Sequence, residues 1–411
     1  MKYRVTALTP LLAGDGQQLA PIDYIVWKDQ VNVLDQTRIF KLLARGPRLE
    51  GYLAQLRKAT KLDFASWGGF AQNFSERRIP FEHASIVPLW EKAHSEDLFI
   101  STFAQSHRGR YLPASALKGA LHTSLMFSRW NASTLDKIAA ALEPGRPPRK
   151  PGEAAEVASG ASQVRVVSAA DSAAVPDASF KVFLARVSTL DARQAGSFQL
   201  AWKVAGRGSV AGQRSTESTP KFVEMATLGT QFTGIWSERT FLENPDLSRA
   251  LGWRSVPDPA LLTSAANESA EGQLALHARY AEIAGLAPVR DNLRKLQESL
   301  AEARVSRLTC LLCLGWGSGI VSKAGSLEFE NESYRKILRA VPAYSRAIGT
   351  GLPFPKTRQI IFENGQPATL PGWVQLELDP AVRSSGLAPI GTRLTALRTV
   401  FLALNGRFVP F

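Results

Sequence analysis

The chain has 411 residues, 45% hydrophobic and 21% charged, which is the make-up of a globular protein with a large core and room for two domains. Its net charge of +13 favours a polyanionic partner. No apolar run approaches the roughly 18 residues of a membrane helix, and MKYRVTALTP holds no signal-peptide core, so the expectation is a cytoplasmic protein that does not work at a membrane.

In chain order, YRVTALTPLL predicts a strand that ends in the turn GDGQ (14–17), and YIVWKD with QVNVLD predicts a hairpin. Apolar spacing from Thr37 to Leu62 predicts helix. LFISTFAQ (98–105) reads as a strand. A basic loop, SHRGR, then leads into YLPASALKGALHTSLMFSRW, a helix opened by Pro113 and Ser115. Residues 143–162, rich in Pro, Gly and Ala, read as a flexible linker or insertion. VRVVSA, FKVFLARVST, SFQLAWKVAG and FVEMATLGTQFTGIW have strand composition, while 205–216 reads as an exposed loop. A helical pattern from about Gly272 to Cys313, interrupted near Pro288, runs into the glycine-rich stretch LGWGSGIVSKAG (314–325). RQIIFENG and GWVQLEL predict a strand pair before a basic C-terminal tail. The expected organisation is α+β, with domains at 1–142 and 163–411 joined by the linker.

The positive charge is uneven. Residues 1–130 hold 17 Lys and Arg against 11 Asp and Glu, and 280–411 hold 16 against 10, whereas 131–279 are nearly neutral. Three stretches contain no carboxylate: 98–135, with Arg108, Arg110, Lys118 and Arg129; 192–216, with Arg193, Lys203, Arg207 and Arg214; and 333–362, with Lys356 and Arg358 among others. A phosphate-binding surface requires such stretches, because an interspersed Asp or Glu would repel the backbone it holds. Aromatics lie among these cations: Tyr111 after Arg110, Trp202 beside Lys203, and Trp316 in the glycine stretch. Stacking on such rings is the usual device for single-stranded RNA.

Catalytic patterns are thin. The glycine stretch lacks GxxxxGK followed by Ser or Thr, since Ser322 precedes Lys323; it also lacks GxGxxG, its third glycine standing one place early and the run following a predicted helix. What remains is a backbone nest with one lysine, suited to the phosphates of a longer chain or to a tight contact within the protein. The two cysteines, Cys310 and Cys313, form a lone CxxC and read as buried thiols. The five histidines form no metal-binding pattern, and no cofactor or metal is expected. His107, in the SHRGR loop beside Arg108 and Arg110, supplies the one catalytic alternative: a metal-independent endoribonuclease with His107 as base.

TPLLAGDG, YLPASALKGALHT, LGWGSGIVSKAG, and FPKTRQI followed by LPGWVQLEL occur in the order seen in the RAMP-type Csm subunits of type III-A CRISPR–Cas effector complexes, which the chain resembles. The fifth Csm subunit matches best, and KFVEMATLGTQFTG (221–234) fits as well. The resemblance spans most of the chain and is weakest across 131–163 and 242–273. It implies two ferredoxin-like (RRM-like) RAMP domains with inserted loops and helices. It also implies a non-catalytic subunit of an antiviral ribonucleoprotein that binds CRISPR RNA, with target RNA as a further partner. That subunit caps the backbone toward the RNA 3′ part, beside the repeated backbone subunit and other Csm subunits, and supports 3′ maturation by recruiting cellular nucleases. Carried over by position, the RNA-binding residues are Gly315, Gly317, Gly319, Ser322 and Lys323 of the glycine loop, Ser115 and Lys118 at the helix start, and Lys356 and Arg358 of FPKTR. His122 stands where many relatives carry arginine. The carboxylate-free stretches add Arg108, Arg110, Trp202, Lys203, Arg207 and Arg214.

Overall fold

The computed structural model describes residues 1–58, 73–142, 162–194, 197–204, 211–212, 214–253, 255–342, 344–345, 347–348 and 352–379. The predicted linker (all but Ser162), Arg207 with most of its loop, and the C-terminal tail lie outside these residues.

The N-terminal segment forms β1 (Lys2–Ala7), β2 (Gln18–Leu19) and the expected hairpin of β3 (Tyr24–Trp27) and β4 (Gln30–Leu34), turned by Lys28 at φ 52°. The next helical stretch is divided into α1 (Gln36–Leu43) and α2 (Leu49–Lys58), with the carboxylate of Asp35 accepting from Arg38 N to start α1. Then follow β5 (Ser75–Pro80), α3 (Ile86–Lys92), and the short strands β6 (Ile100–Ser101), β7 (Gln105–Ser106) and β8 (Gly109–Arg110). LFISTFAQ is thus mostly irregular. The helix opened by Pro113 is present as α4 (Ala114–Arg129), followed by α5 (Ala132–Ala140).

Farther on come β9 (Val167–Ala169), the long β10 (Phe180–Gln194), β11 (Ser197–Lys203), β12 (Ala211–Gly212), β13 (Lys221–Ala226) and β14 (Gln231–Glu238). α6 (Pro245–Ala250) precedes α7 (Pro259–Ile283) and α8 (Ala287–Ala303); the remaining elements are β15 (Thr309–Cys313), α9 (Glu332–Ala340), β16 (Thr357–Glu363), β17 (Gln366–Thr369) and β18 (Trp373–Asp379).

Three expectations change here. The long helix begins at Pro259, where the Asp258 side chain accepts from Leu261 N, and it stops well before the cysteines. TCLLC is a strand, because Cys310, Leu311, Leu312 and Cys313 are all buried and a short continuous apolar run has no period to separate helix from strand. The glycine stretch therefore follows a strand, not a helix, and continues through turns rather than into a helix. RQIIFENG also finds a different partner. Asn364 and Gly365, at φ 51° and 77°, turn β16 back onto β17, and GWVQLEL joins another sheet as β18.

Two sheets carry the fold. The five-stranded antiparallel sheet runs β15-β18-β1-β14-β9, and the eight-stranded sheet runs β12-β11-β10-β13-β6-β2 with β16 and β17 attached. β10 is the spine of the larger sheet: β13 and then β11 pair along one edge, and β16 pairs along the other. β1 lies between two strands from beyond the linker, and β6 pairs with β13, so the sequence division at 143–162 does not separate the sheets. Alternation is clean in β1. Tyr3, Val5 and Ala7 point into the core, while Arg4 faces out and pairs with Glu377. On the edge strand β15, Asn267 of α7 accepts from Leu311 N and donates to Thr309 O, substituting for a neighbouring strand. No described helix is long and apolar enough to cross a membrane.

Candidate nucleic-acid interface

Leaving β15, the glycine loop is stitched to two other segments. Leu314 N donates to Gly372 O, Trp316 N to Leu12 O, and Gly372 N to Pro10 O. Gly315 sits at φ 84°, and a Cβ there would overlap Leu12 O far inside van der Waals contact. Gly317, at φ 79°, would place a Cβ 2.7 Å from Pro371 Cγ, whereas Gly319, at φ 77°, faces open space. Two of the three alternate glycines therefore serve close packing of the chain against itself. The hydroxyls of Ser318 and Ser322 are turned inward onto Gly315 O and Gly319 O, which stiffens the loop.

On one side of the loop lies a cleft of about 570 Å³, lined by Gly14 and Gln17 of the first loop, by Ser115, Gly119 and His122 of α4, and by Gly315, Ser322 and Lys323. On the other side a cleft of about 520 Å³ is lined by Lys203, Lys221, Lys323, Lys356 and Arg358 together with Gly317 and Gly319. Trp316, Ser318 and Lys323 border both, and none of the lining residues of either cleft is Asp or Glu. A run of cations without an opposing carboxylate can hold a polyanion. Fold and cleft together thus draw most of the glycine loop, Ser115, Lys203, Lys356 and Arg358 into one region, although these residues are far apart in sequence.

Lys221 is an addition that the sequence hid. It lies close in sequence to Glu217 and Glu224, but strand alternation turns Glu224 to the opposite face, where it is fully buried. Partial desolvation, and then the charge of Lys203, hold the Lys221 ammonium below the usual lysine range.

Trp202 and Arg110 are corrected by burial, and Arg108, Arg214 and Lys118 stand apart from the two clefts. Trp202 is buried in the core, tilted against Phe362 with ring centres 5.7 Å apart, so it offers no stacking face. Arg110 is buried, with Nε 2.6 Å from a Glu224 carboxylate oxygen and Nη1 2.8 Å from Asp177; Arg77 pairs with the same two carboxylates. Glu224→Gln therefore leaves the buried Arg110 and the largely buried Arg77 short of their counter-charge and should cost about 3–5 kcal/mol, read as a lower denaturant midpoint. Arg108 is exposed on the β7–β8 turn and donates from Nε to His107 Nε2 at 3.3 Å. Neither Arg108 nor Arg110 lines either of these two clefts. Arg214 is exposed and paired with Glu217 at 3.7 Å. Lys118 lines neither cleft; partial burial and the neighbouring Arg239 lower its pKa. The start of α4 is already occupied, because Ala114 N donates to Asp171 Oδ1 at 2.7 Å. That carboxylate takes the place a phosphate would have at the helix end.

Arg358 is deeply buried. Its Nε donates to His277 Nδ1 at 2.9 Å, its Nη1 to Pro355 O and Thr357 O, and its guanidinium lies 4.5 Å from the Tyr280 ring centre. Desolvation lowers its pKa to about 10, leaving it charged at neutral pH. Burial first, and then the Arg358 charge, hold His277 well below the usual 6.5. The unfolded chain thus takes up this proton before the folded one does. Stability is full above about pH 6.5 and falls as the pH drops below it, by up to ~1.4 kcal/mol per unit. His277→Asn keeps an acceptor beside Arg358 and removes the proton; it should flatten the decline in melting temperature between about pH 7 and 5. An unchanged slope would assign the acid sensitivity elsewhere.

Cys310 and Cys313 are buried free thiols, and burial raises the Cys313 thiol to about 12. No cluster of metal-ligating residues occurs among the described residues.

No family model matches the chain, and no curated protein does. Solved structures share its fold, which is that of a Csm subunit. One is a chain of the cryo-EM structure of a Csm–crRNA–target RNA ternary complex of a type III-A CRISPR–Cas system, with TM-score 0.60 and 18% identity over 92% of this chain and 100% of that one. Another is the crystal structure of Csm5 from T. onnurineus, with TM-score 0.54 and 15% identity over 91% of this chain and 100% of that one. The resemblance first carried by TPLLAGDG, the α4 helix and the glycine loop thus extends through nearly the whole fold.

Proposed function

We propose that the chain is a non-catalytic CRISPR RNA-binding subunit of a type III-A interference complex, related to the fifth Csm subunit. In this reading it is built on two ferredoxin-like units, caps the backbone near the RNA 3′ part, and contacts the repeated backbone subunit. It supports 3′ maturation in antiviral defence by recruiting cellular nucleases. The observation that carries the reading is the pair of carboxylate-free clefts on either side of the glycine loop, in a fold shared with a chain of a Csm–crRNA–target RNA complex. The endoribonuclease alternative gains no support from geometry, because His107 lines neither cleft and its ring nitrogen is engaged by Arg108.

The test is a tagged pull-down from the native host with the bound RNA sequenced. Small RNAs bearing a repeat-derived 5′ tag, together with other Csm subunits, are expected. A chain recovered without either overturns the reading.

A further inference from the structure

The second cleft has an unusual floor. Three side-chain donors, Arg358 Nη2, Gln359 Nε2 and Trp373 Nε1, are buried without a hydrogen-bond acceptor among the described residues, and all three residues line this one cleft. Arg358 is 6% exposed and Trp373 not at all, so these are interior groups and not loose surface side chains. An unmet buried donor costs stability, and three among the residues lining one cleft ask for a common explanation. Arg358 Nη2 and Trp373 Nε1 can only donate, and Gln359 presents its amide N–H. One carries a formal charge, Lys203, Lys221, Lys323 and Lys356 surround them, and no carboxylate lines the space.

We infer that this floor is a phosphate subsite, in which one tetrahedral phosphoryl group accepts from Arg358, Gln359 and Trp373 while the lysines hold the charge around it. The assignment rests on reading this cleft as the RNA site and adds the place where one phosphate is gripped by directed hydrogen bonds as well as by diffuse charge. The three donor atoms are shielded from solvent in the unliganded chain. The half-buried Gln359, lying beneath Gly317, is the member that swings to admit the ligand. Neutral His277 keeps the Arg358 guanidinium aimed by accepting from its Nε, which leaves Nη2 for the phosphate.

The test uses the full chain and inorganic phosphate, read by thermal melting at constant ionic strength against chloride. Phosphate should raise the melting temperature of the wild type. Trp373→Phe with Gln359→Leu, which keeps the ring and the bulk but removes two donors, should weaken the response about tenfold to a hundredfold in concentration. Gln359→Leu alone, at a half-buried position, gives the same direction if the double variant fails to fold. No phosphate response in the wild type, or an undiminished one in both variants, overturns the subsite. Single-stranded RNA that competes with phosphate identifies the RNA backbone as the source; additive binding of both identifies a free anion. RNA binding without any phosphate response removes the subsite and leaves the RNA reading standing. A phosphate response in a chain that never binds RNA does the reverse.

Discussion

Gly315→Ala should lower the stability of the protein by more than about 3 kcal/mol, while Gly319→Ala should cost only about 1–2 kcal/mol. Both positions have left-handed backbone, at φ 84° and 77°, so both pay the conformational penalty of a side chain there. They differ in what the added carbon meets. At Gly315 it strikes Leu12 O, a backbone atom held by its own bond from Trp316 N, whereas at Gly319 nothing lies within 4 Å. A backbone atom cannot rotate aside, so the glycine loop and the TPLLAGDG segment must separate. Thermal melting of the two variants side by side decides the matter; equal losses would mean that the contact with Leu12 is not what fixes this glycine.

The second large effect is electrostatic. Replacing Lys203, Lys323 and Lys356 together by alanine should weaken single-stranded RNA binding about a hundredfold at moderate salt and reduce the slope of log affinity against log salt by about 2. These three cations border the second cleft from β11, the glycine loop and the segment before β16. Arg108 and Arg214 line neither cleft, so their joint replacement by alanine is the control and should leave the slope unchanged. A comparable drop in the control would make the binding surface general rather than local to the cleft. A titration of labelled RNA at several salt concentrations reads both quantities.

Local signals in the sequence are informative where the structure obeys local rules. Pro113 opens α4, and YIVWKD with QVNVLD forms its hairpin, because capping and alternation act over a few residues. The glycine loop was legible as a place of close approach, although its division of labour was not: Leu12 and Pro371, which crowd Gly315 and Gly317, come from both ends of the chain. Arg110 looked like a free cation for the same reason, since its partner Glu224 belongs to a strand that only the folded sheet brings near. TCLLC was ambiguous in principle, a short apolar run with no period. The donor floor could not be seen at all, because it depends on which atoms find no partner, and that is settled only after every other contact has formed.

The position of β1 also bears on how the protein is made. Lys2 pairs with Asp379 on one side of β1 and with Ile235 on the other. At synthesis rates of about 5–20 residues per second, the N-terminal strand waits roughly 20 to 75 s for β18. During that time its β18 edge has no native neighbour, and the five-stranded sheet cannot close. Assembly of this sheet therefore waits for β18, governed by contacts of very long sequence separation, and such contacts form slowly. A nascent chain stalled before residue 373 would carry an open strand edge beside Tyr3 and Val5, which gives the cell a reason to shield it until β18 emerges.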